Sequence, residues 1–261
     1  MATLATIPED PLPAFSPLVD LTNPWLLAQL ARGHYLANHE RSMAEITGAL
    51  PTWAEHSRQA EAARAAQSGE DPRPLAFVFD LDETLVSNVA AQNACRGPRG
   101  AAVYPADYFV DAAGRPWPRE TPLSPPLPGA HALVAEAARH GAVVILTGRY
   151  ERLRQETVDN LVAVGLAEPD GAETHAAPDR AWPHCVPVLS AADLRGPGTS
   201  LIMIPDGMSH PSGAVEPLKR AVRKRLTKAY RICAIIGDQP SDMGEEGDVP
   251  ALLHNPFYRT A

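Results

Sequence analysis

A few polar side chains in this 261-residue sequence are spaced so that chemistry could gather around them. Asp80 and Asp82 stand two residues apart, with Thr84 close behind, directly after the apolar run Leu75 to Phe79. Two carboxylates held that close repel each other unless a cation lies between them, and Mg²⁺, a hard oxygen-seeking ion, suits such ligands. A second acidic pair, Asp238 and Asp242, follows the apolar run Arg231 to Ile236. Asp238 is placed to complete an oxygen-only Mg²⁺ site with Asp80, and Asp242 to hold a cation or a metal-bound water. Taken alone, each pair would read as a capped acidic turn. Thr147 and Gly148 offer a hydroxyl, a backbone N–H and room for close approach, all of which suit a phosphate oxygen.

The elements that must position these residues can be read from the apolar pattern. Leu75 to Phe79 follows Pro74 and shows no polar alternation, as expected of a strand buried on both faces of a parallel sheet. Pro128 to Arg139 reads as a helix closed by Gly141, and Ala142 to Leu146 as a second strand ending at Thr147-Gly148-Arg149. A helix over Tyr150 to Val164, a strand over Ser200 to Ile204 and a basic helix around Lys219 to Lys228 come next. Most of that helix's cations should face solvent, with one near its start able to reach the pocket. Arg231 to Ile236 is the last strong strand, and Ala251 to Tyr258 reads as a short strand with a closing turn. Strands that each stop in small polar residues predict an α/β domain with its site beyond their carboxyl ends.

Before this core, residues 1–23 are proline-rich and without periodicity. Leu26, Leu27, Leu30 and Ala37 share one helical face, and helices continue over Ser42 to Leu50 and Thr52 to Ala66, interrupted at Gly48 and Pro51. This segment carries no obvious chemistry and reads as a cover for the core or a contact with a second subunit in a homodimer. Residues 89–125 form a weakly regular insertion with interspersed Tyr104, Tyr108, Phe109 and Trp117. Such an insertion directly after a catalytic strand reads as a small cap. Its aromatics either stack on a flat substrate group such as a nucleobase or form the cap's own small core. The division expected is therefore 1–71 (arm and helices), 72–88 with 126–261 (core), and 89–125 (cap).

Lys and Arg number 23 against 31 Asp and Glu, a net charge of −8, which argues against nucleic acid as a bulk electrostatic partner. No stretch reads as a membrane span, and residues 1–23 lack the basic start of a signal peptide. Cys95, Cys185 and Cys233 have no metal-ligand spacing and are odd in number, which fits a reducing, cytoplasmic setting. His175, His184 and His210 match no common metal motif and read as surface or structural.

Four places in order resemble the motifs of the haloacid dehalogenase (HAD) superfamily: Asp80-Leu-Asp-Glu-Thr84, the strand ending in Thr147, Lys219, and Gly237-Asp-Gln-Pro-Ser-Asp242. Asn88, Pro126-Leu-Pro-Gly129, Tyr230-Arg-Ile and Asn255-Pro-Phe-Tyr258 resemble the acid-phosphatase subgroup, which includes bacterial class C acid phosphatases and plant vegetative storage proteins. The resemblance spans roughly residues 74 to 258. It implies a three-layer, Rossmann-like core and a Mg²⁺-dependent phosphomonoesterase. Asp80 would be the nucleophile and Asp82 the general acid and base. The metal would be held by Asp80, the Asp82 backbone carbonyl and Asp238. Thr147 and Lys219 would bind the phosphoryl oxygens, with Gly148, Asp242 and Thr84 in support. The subgroup shows Lys-Ser at the third motif, whereas Lys219 is followed by Arg220, which leaves Arg220 and Lys224 as substitutes. The subgroup is also largely exported, so the reading of this chain points to an intracellular phosphomonoester: a nucleoside monophosphate, a sugar phosphate or a biosynthetic intermediate. The alternatives are a phosphatase acting on phosphorylated protein tails, which Asp80-Leu-Asp-Glu-Thr-Leu-Val86 also resembles, and a non-catalytic storage or binding protein.

Overall fold

Every side chain of Leu75–Phe79 (β1) is buried, because the strand lies at the middle of a five-stranded parallel sheet. The computed structural model describes residues 33–87, 124–168, 189–190, 200–206 and 215–255. Ala142–Tyr150 (β2) pairs with one side of β1. After β2 come a 3₁₀ turn, Glu151–Leu153, and helix Arg154–Ala163, and a two-stranded pair joins Ala167–Glu168 (β3) to Leu189–Ser190 (β4). Leu201–Ile204 (β5) extends the main sheet beyond β2, while Arg231–Gly237 (β6) and Gly247–Leu252 (β7) extend it on the other side of β1. The order is thus β5-β2-β1-β6-β7. The chain works outward from β1 in one direction and then crosses back to β6. The strand order reverses between β1 and β6, and in open α/β sheets the ligand crevice lies outside the carboxyl ends at such a switch point.

Alternation along β1 splits the core into two faces. Leu75, Phe77 and Phe79 pack with Met43, Leu50 and Ala54 of helix His34–Ser68 (α1) and with Leu133, Val134 and Ala137 of helix Ala130–His140 (α2). Val78 faces the other way, with Val144, Leu146, Ile232 and Ile235, under Leu226 of helix Val215–Leu226. Helices on both faces of a parallel sheet make the expected three-layer α/β core. Each fully buried phenylalanine contributes roughly 2–3 kcal/mol of hydrophobic stabilisation. With helix Arg154–Ala163 as α3 and Val215–Leu226 as α4, the described helices are complete.

Several elements differ from the sequence reading. The breaks expected at Gly48 and Pro51 do not occur: α1 runs unbroken for 35 residues with Pro51 inside it. The missing Pro51 N–H leaves the Thr47 carbonyl without its helical donor. Burial of Met43, Leu50 and Ala54 on the sheet side carries the helix through. The start of α2 is fitted to α1 by Gly129, whose φ is 87° and at which a Cβ would stand 2.6 Å from that of Met43. Strand β2 does not stop at Leu146 but continues to Tyr150, with a register irregularity against β5 between those residues. Tyr150 to Val164 accordingly starts as a 3₁₀ turn, and α3 begins only at Arg154. The last strand lies earlier than 251–258, at Gly247–Leu252. Residues 1–32, the four cap aromatics, Asn88, Cys95, Cys185, the three scattered histidines and 256–258 lie outside the described residues. Among those described, no helix is long and apolar enough to cross a membrane.

Candidate active site

Beyond the carboxyl end of β1 the backbone closes a tight turn. The Leu81 carbonyl accepts from the N–H groups of Thr84, Leu85 and Val86, and the Glu83 N–H donates to the Val86 carbonyl at 2.7 Å. Glu83 adopts φ 57°, a left-handed conformation costly for a residue with a side chain. The Asp80 N–H donates to Ile236 O at 2.9 Å, which ties the first turn to β6. Asp80, Asp82 and Thr84 therefore face the crevice from one side and Asp238 and Asp242 from the other.

Asp80, Thr84, Asp238 and Asp242 meet in a buried cluster. The Lys219 ammonium, from α4, donates to Asp80 Oδ1 at 2.5 Å and to Asp242 Oδ1 at 2.5 Å. Thr84 Oγ1 donates to Asp238 Oδ1 at 3.2 Å, while the amides of Gln239 and Asn255 donate to Asp238 Oδ2 at 2.6 and 2.5 Å. Asp242 is turned inward by the Gln239 N–H at 2.9 Å. Gly237 makes room for it, since a Cβ there would stand 2.5 Å from the Asp242 side chain. Oxygens of Asp80, Asp238 and Asp242 all lie within 4.8 Å of one another. Burial, then the Asp242 charge, hold the Asp80 carboxyl well above its usual range despite Lys219. The same two causes push Asp238 up to about 7. Lys219 loses to burial and gains more from Asp242 and Asp80, so its net shift is upward and it stays an ammonium. Buried carboxylates that outnumber the one lysine among them make an oxygen-only donor set, and it fits a hard divalent cation.

Asp82 looks elsewhere. Arg149, fully buried, grips it through Nε at 3.0 Å to Oδ1 and Nη2 at 2.6 Å to the same oxygen, with Nε also 3.2 Å from Oδ2. Thr147 Oγ1 is 3.5 Å from Asp82 Oδ2. The longer β2 explains this. Thr147 and Arg149 fall two residues apart on a strand and so project to the same side. The acidic cluster with metal-ligand geometry is thus Asp80, Asp238 and Asp242, while the Asp82 carboxylate faces the Thr147–Arg149 side.

Lys219 rather than a neighbour is the α4 cation in the cluster. Arg220 is exposed and lies 3.7 Å from Glu246, and Lys224 is exposed. The basic helix is less of a solvated face than expected, because Arg223 is also buried, donating to the carbonyls of Asp242 and Met243 and to Glu246. Sequence reasoning gave no role to Arg149, Glu83, Asn255, Tyr35 or His39. Arg149 was masked because the strand reads as ending at Leu146, whereas it continues to Tyr150; Tyr35 and His39 carried no signal.

The chain is similar to the following known proteins. Residues 40–179 match the model of the HAD superfamily, subfamily IIIB (Acid phosphatase). Acid phosphatase 1 of Solanum lycopersicum is 35% identical over 107 residues, covering 41% of this chain and 38% of that protein, so the alignment spans about two-fifths of the relative's length. The class C acid phosphatase from Bacillus anthracis is 16% identical, with a TM-score of 0.49 over 89% of this chain and 83% of that one. The family match covers more than half of the chain and takes in β1, the Asp80–Thr84 turn and β2 with Thr147 and Arg149, so the chain belongs to subfamily IIIB, the acid phosphatases, of the HAD superfamily.

Proposed function

We propose that the protein is a Mg²⁺-dependent phosphomonoesterase acting on a small phosphorylated metabolite through an aspartyl-phosphate. The observation that carries this reading is the buried Asp80, held at 2.5 Å by Lys219 and flanked by Asp238 and Asp242. Asp80, Asp238 and Asp242 would hold the cation, with the Asp82 carbonyl as a further ligand. When bound, the cation supplies positive charge to the phosphoryl oxygens and orients them for in-line attack.

The chain's own residues do the rest. An Asp80 carboxylate oxygen attacks phosphorus as the bond to the leaving oxygen breaks, and Asp82, its Oδ1 held by Arg149, delivers a proton from Oδ2 to that oxygen. Asp82, now ionised, takes a proton from the incoming water, whose oxygen attacks phosphorus; the bond to Asp80 breaks and inorganic phosphate leaves. Lys219 lies beside the nucleophile and offsets charge on the transferring group, and Thr147, with the adjoining Gly148 backbone, adds neutral donors. Thr84 steadies Asp238, and Asp242 holds Lys219 in place. The cap aromatics Tyr104, Tyr108, Phe109 and Trp117 would contact the organic part of the substrate, which favours a nucleoside monophosphate, a sugar phosphate or a biosynthetic intermediate. A cytoplasmic setting belongs to the same proposal, supported by the buried free thiol of Cys233.

The test is phosphate release from a panel of nucleotides, sugar phosphates and a phosphopeptide, with Mg²⁺ or with EDTA, beside Asp80→Asn. Mg²⁺-dependent release from a small ester, absent in the variant and in EDTA, is the expected result. Activity that survives Asp80→Asn would remove Asp80 as nucleophile, and preference for the phosphopeptide would overturn the small-substrate reading.

A further inference from the structure

Helix α1 lies outside the strands and turns that carry the acidic cluster, yet its first turns reach the catalytic turn at two points. The Tyr35 hydroxyl donates to Glu83 Oε2 at 2.6 Å, and both side chains are buried. One turn further on, His39 Nε2 lies 3.3 Å from the Thr84 carbonyl. Burial lowers the His39 imidazole to about 4, so it is neutral. Only the tautomer with its proton on Nε2 can donate to a carbonyl, and Nδ1 is correspondingly without a partner among the described residues. The tyrosine is fixed as a donor too: burial, then the Glu83 carboxylate, hold its phenol far above the ordinary value.

These contacts fall on the residues next to the ones that matter. Glu83, in its left-handed conformation, lies between Asp82 and Thr84. A strained residue persists only where its surroundings over-determine it. Here the surroundings include a helix anchored at its far end as well. Glu61 accepts from Arg73 just before β1 and lies 3.8 Å from Arg231 at the start of β6, and Ser57 donates to Asp248 of β7. The helix is thus fixed to the sheet near the amino ends of β1 and β6 and to the catalytic turn beyond the carboxyl end of β1.

We propose that Tyr35 and His39 are positioning residues that act through Glu83 and the Thr84 backbone to aim Asp82 at the leaving-group oxygen, which makes α1 part of the catalytic apparatus. This rests on the phosphatase reading above. If Tyr35 serves the proton delivery of Asp82, its loss weighs most on esters whose leaving group needs that proton. An alkyl phosphate expels a basic alkoxide, whereas p-nitrophenyl phosphate expels a stable phenolate.

The experiment compares kcat/KM for p-nitrophenyl phosphate and glycerol 2-phosphate in the full-length wild type, Tyr35→Phe, Glu83→Gln and the double variant, with thermal unfolding of each. Tyr35→Phe should lower kcat/KM for the alkyl ester by about tenfold to a hundredfold, the usual size of a positioning contact. It should lower the aryl ester far less and leave KM for both nearly unchanged. The double variant should lose little more than Glu83→Gln alone, because the two residues act as one unit. An equal loss on both esters, additive losses, or wild-type values would overturn the proposal while leaving the phosphatase reading standing. A wild type silent on both esters would overturn that reading, and this proposal with it.

Discussion

At the scale of single residues, the site is governed by an imbalance of charge. Asp80, Asp238 and Asp242 are all buried, with Lys219 in contact with two of them. Removing one partner of a buried ion pair leaves an uncompensated charge, which costs about 3–5 kcal/mol. Lys219→Met should therefore abolish turnover and lower stability by roughly that amount in urea denaturation at neutral pH. The penalty should shrink as the pH is lowered, since protonation relieves the stranded carboxylates. A variant as stable as wild type at pH 8 would mean that the lysine is not their main counter-ion. The motif acids were legible because each acidic turn follows an unmistakable apolar strand, whereas Lys219 was named only through the family resemblance, with Arg220 and Lys224 as substitutes. Arg149 was hidden by its local sequence. Thr147-Gly148-Arg149 looks like a turn, yet β2 stays extended through it to Tyr150, which pairs with Ile204 of β5, and Arg149 reaches Asp82.

At the scale of elements, α1 carries the lesson. Local propensity argued for a break at Pro51, and tertiary packing overrode it, because Met43, Leu50 and Ala54 are buried on either side of the proline. The helix therefore tolerates a residue that it does not need. Proline in a helix interior costs about 3 kcal/mol relative to alanine, offset by about 1 kcal/mol from its restriction of the unfolded chain. Pro51→Ala should stabilise the protein by roughly 2 kcal/mol with activity unchanged, read as a higher Tm and unaltered kcat. Destabilisation would show that the packing of α1 depends on a bend at that point. That the same helix touches Glu83 and Thr84 was not legible at all. Contacts separated by 48 and 45 residues leave no periodicity to read.

For the whole molecule, the strand order decides where the acids converge and how stability answers to pH. Asp80 and Asp238 both have carboxyls raised by burial and by Asp242. For such groups the unfolded chain releases protons first. Between an ordinary aspartate value and about 7 for Asp238, the folded metal-free protein therefore binds more protons, and its stability falls as pH rises through that window. A divalent cation must displace those protons, so it binds more tightly as they leave. Saturating Mg²⁺ should raise Tm more at pH 8 than at pH 5, and the binding should release protons into weak buffer at pH 6. An equal Tm shift at both pH values would disconnect the cation from this cluster. The α/β class and the crevice were foreseeable, since every central strand is an apolar run; the exact extents of β2, α1 and β7 were set by neighbours distant in sequence.

The Ser87 N–H donates to the Pro125 carbonyl and the Leu127 N–H to the Leu85 carbonyl, so the chain departs from the core and re-enters it through two clasped backbone stems. With the chain clasped at these stems, the entropic cost of closing the connection between them rises only slowly with its length. Joining a connection of different length to the same stems should therefore cost the core little.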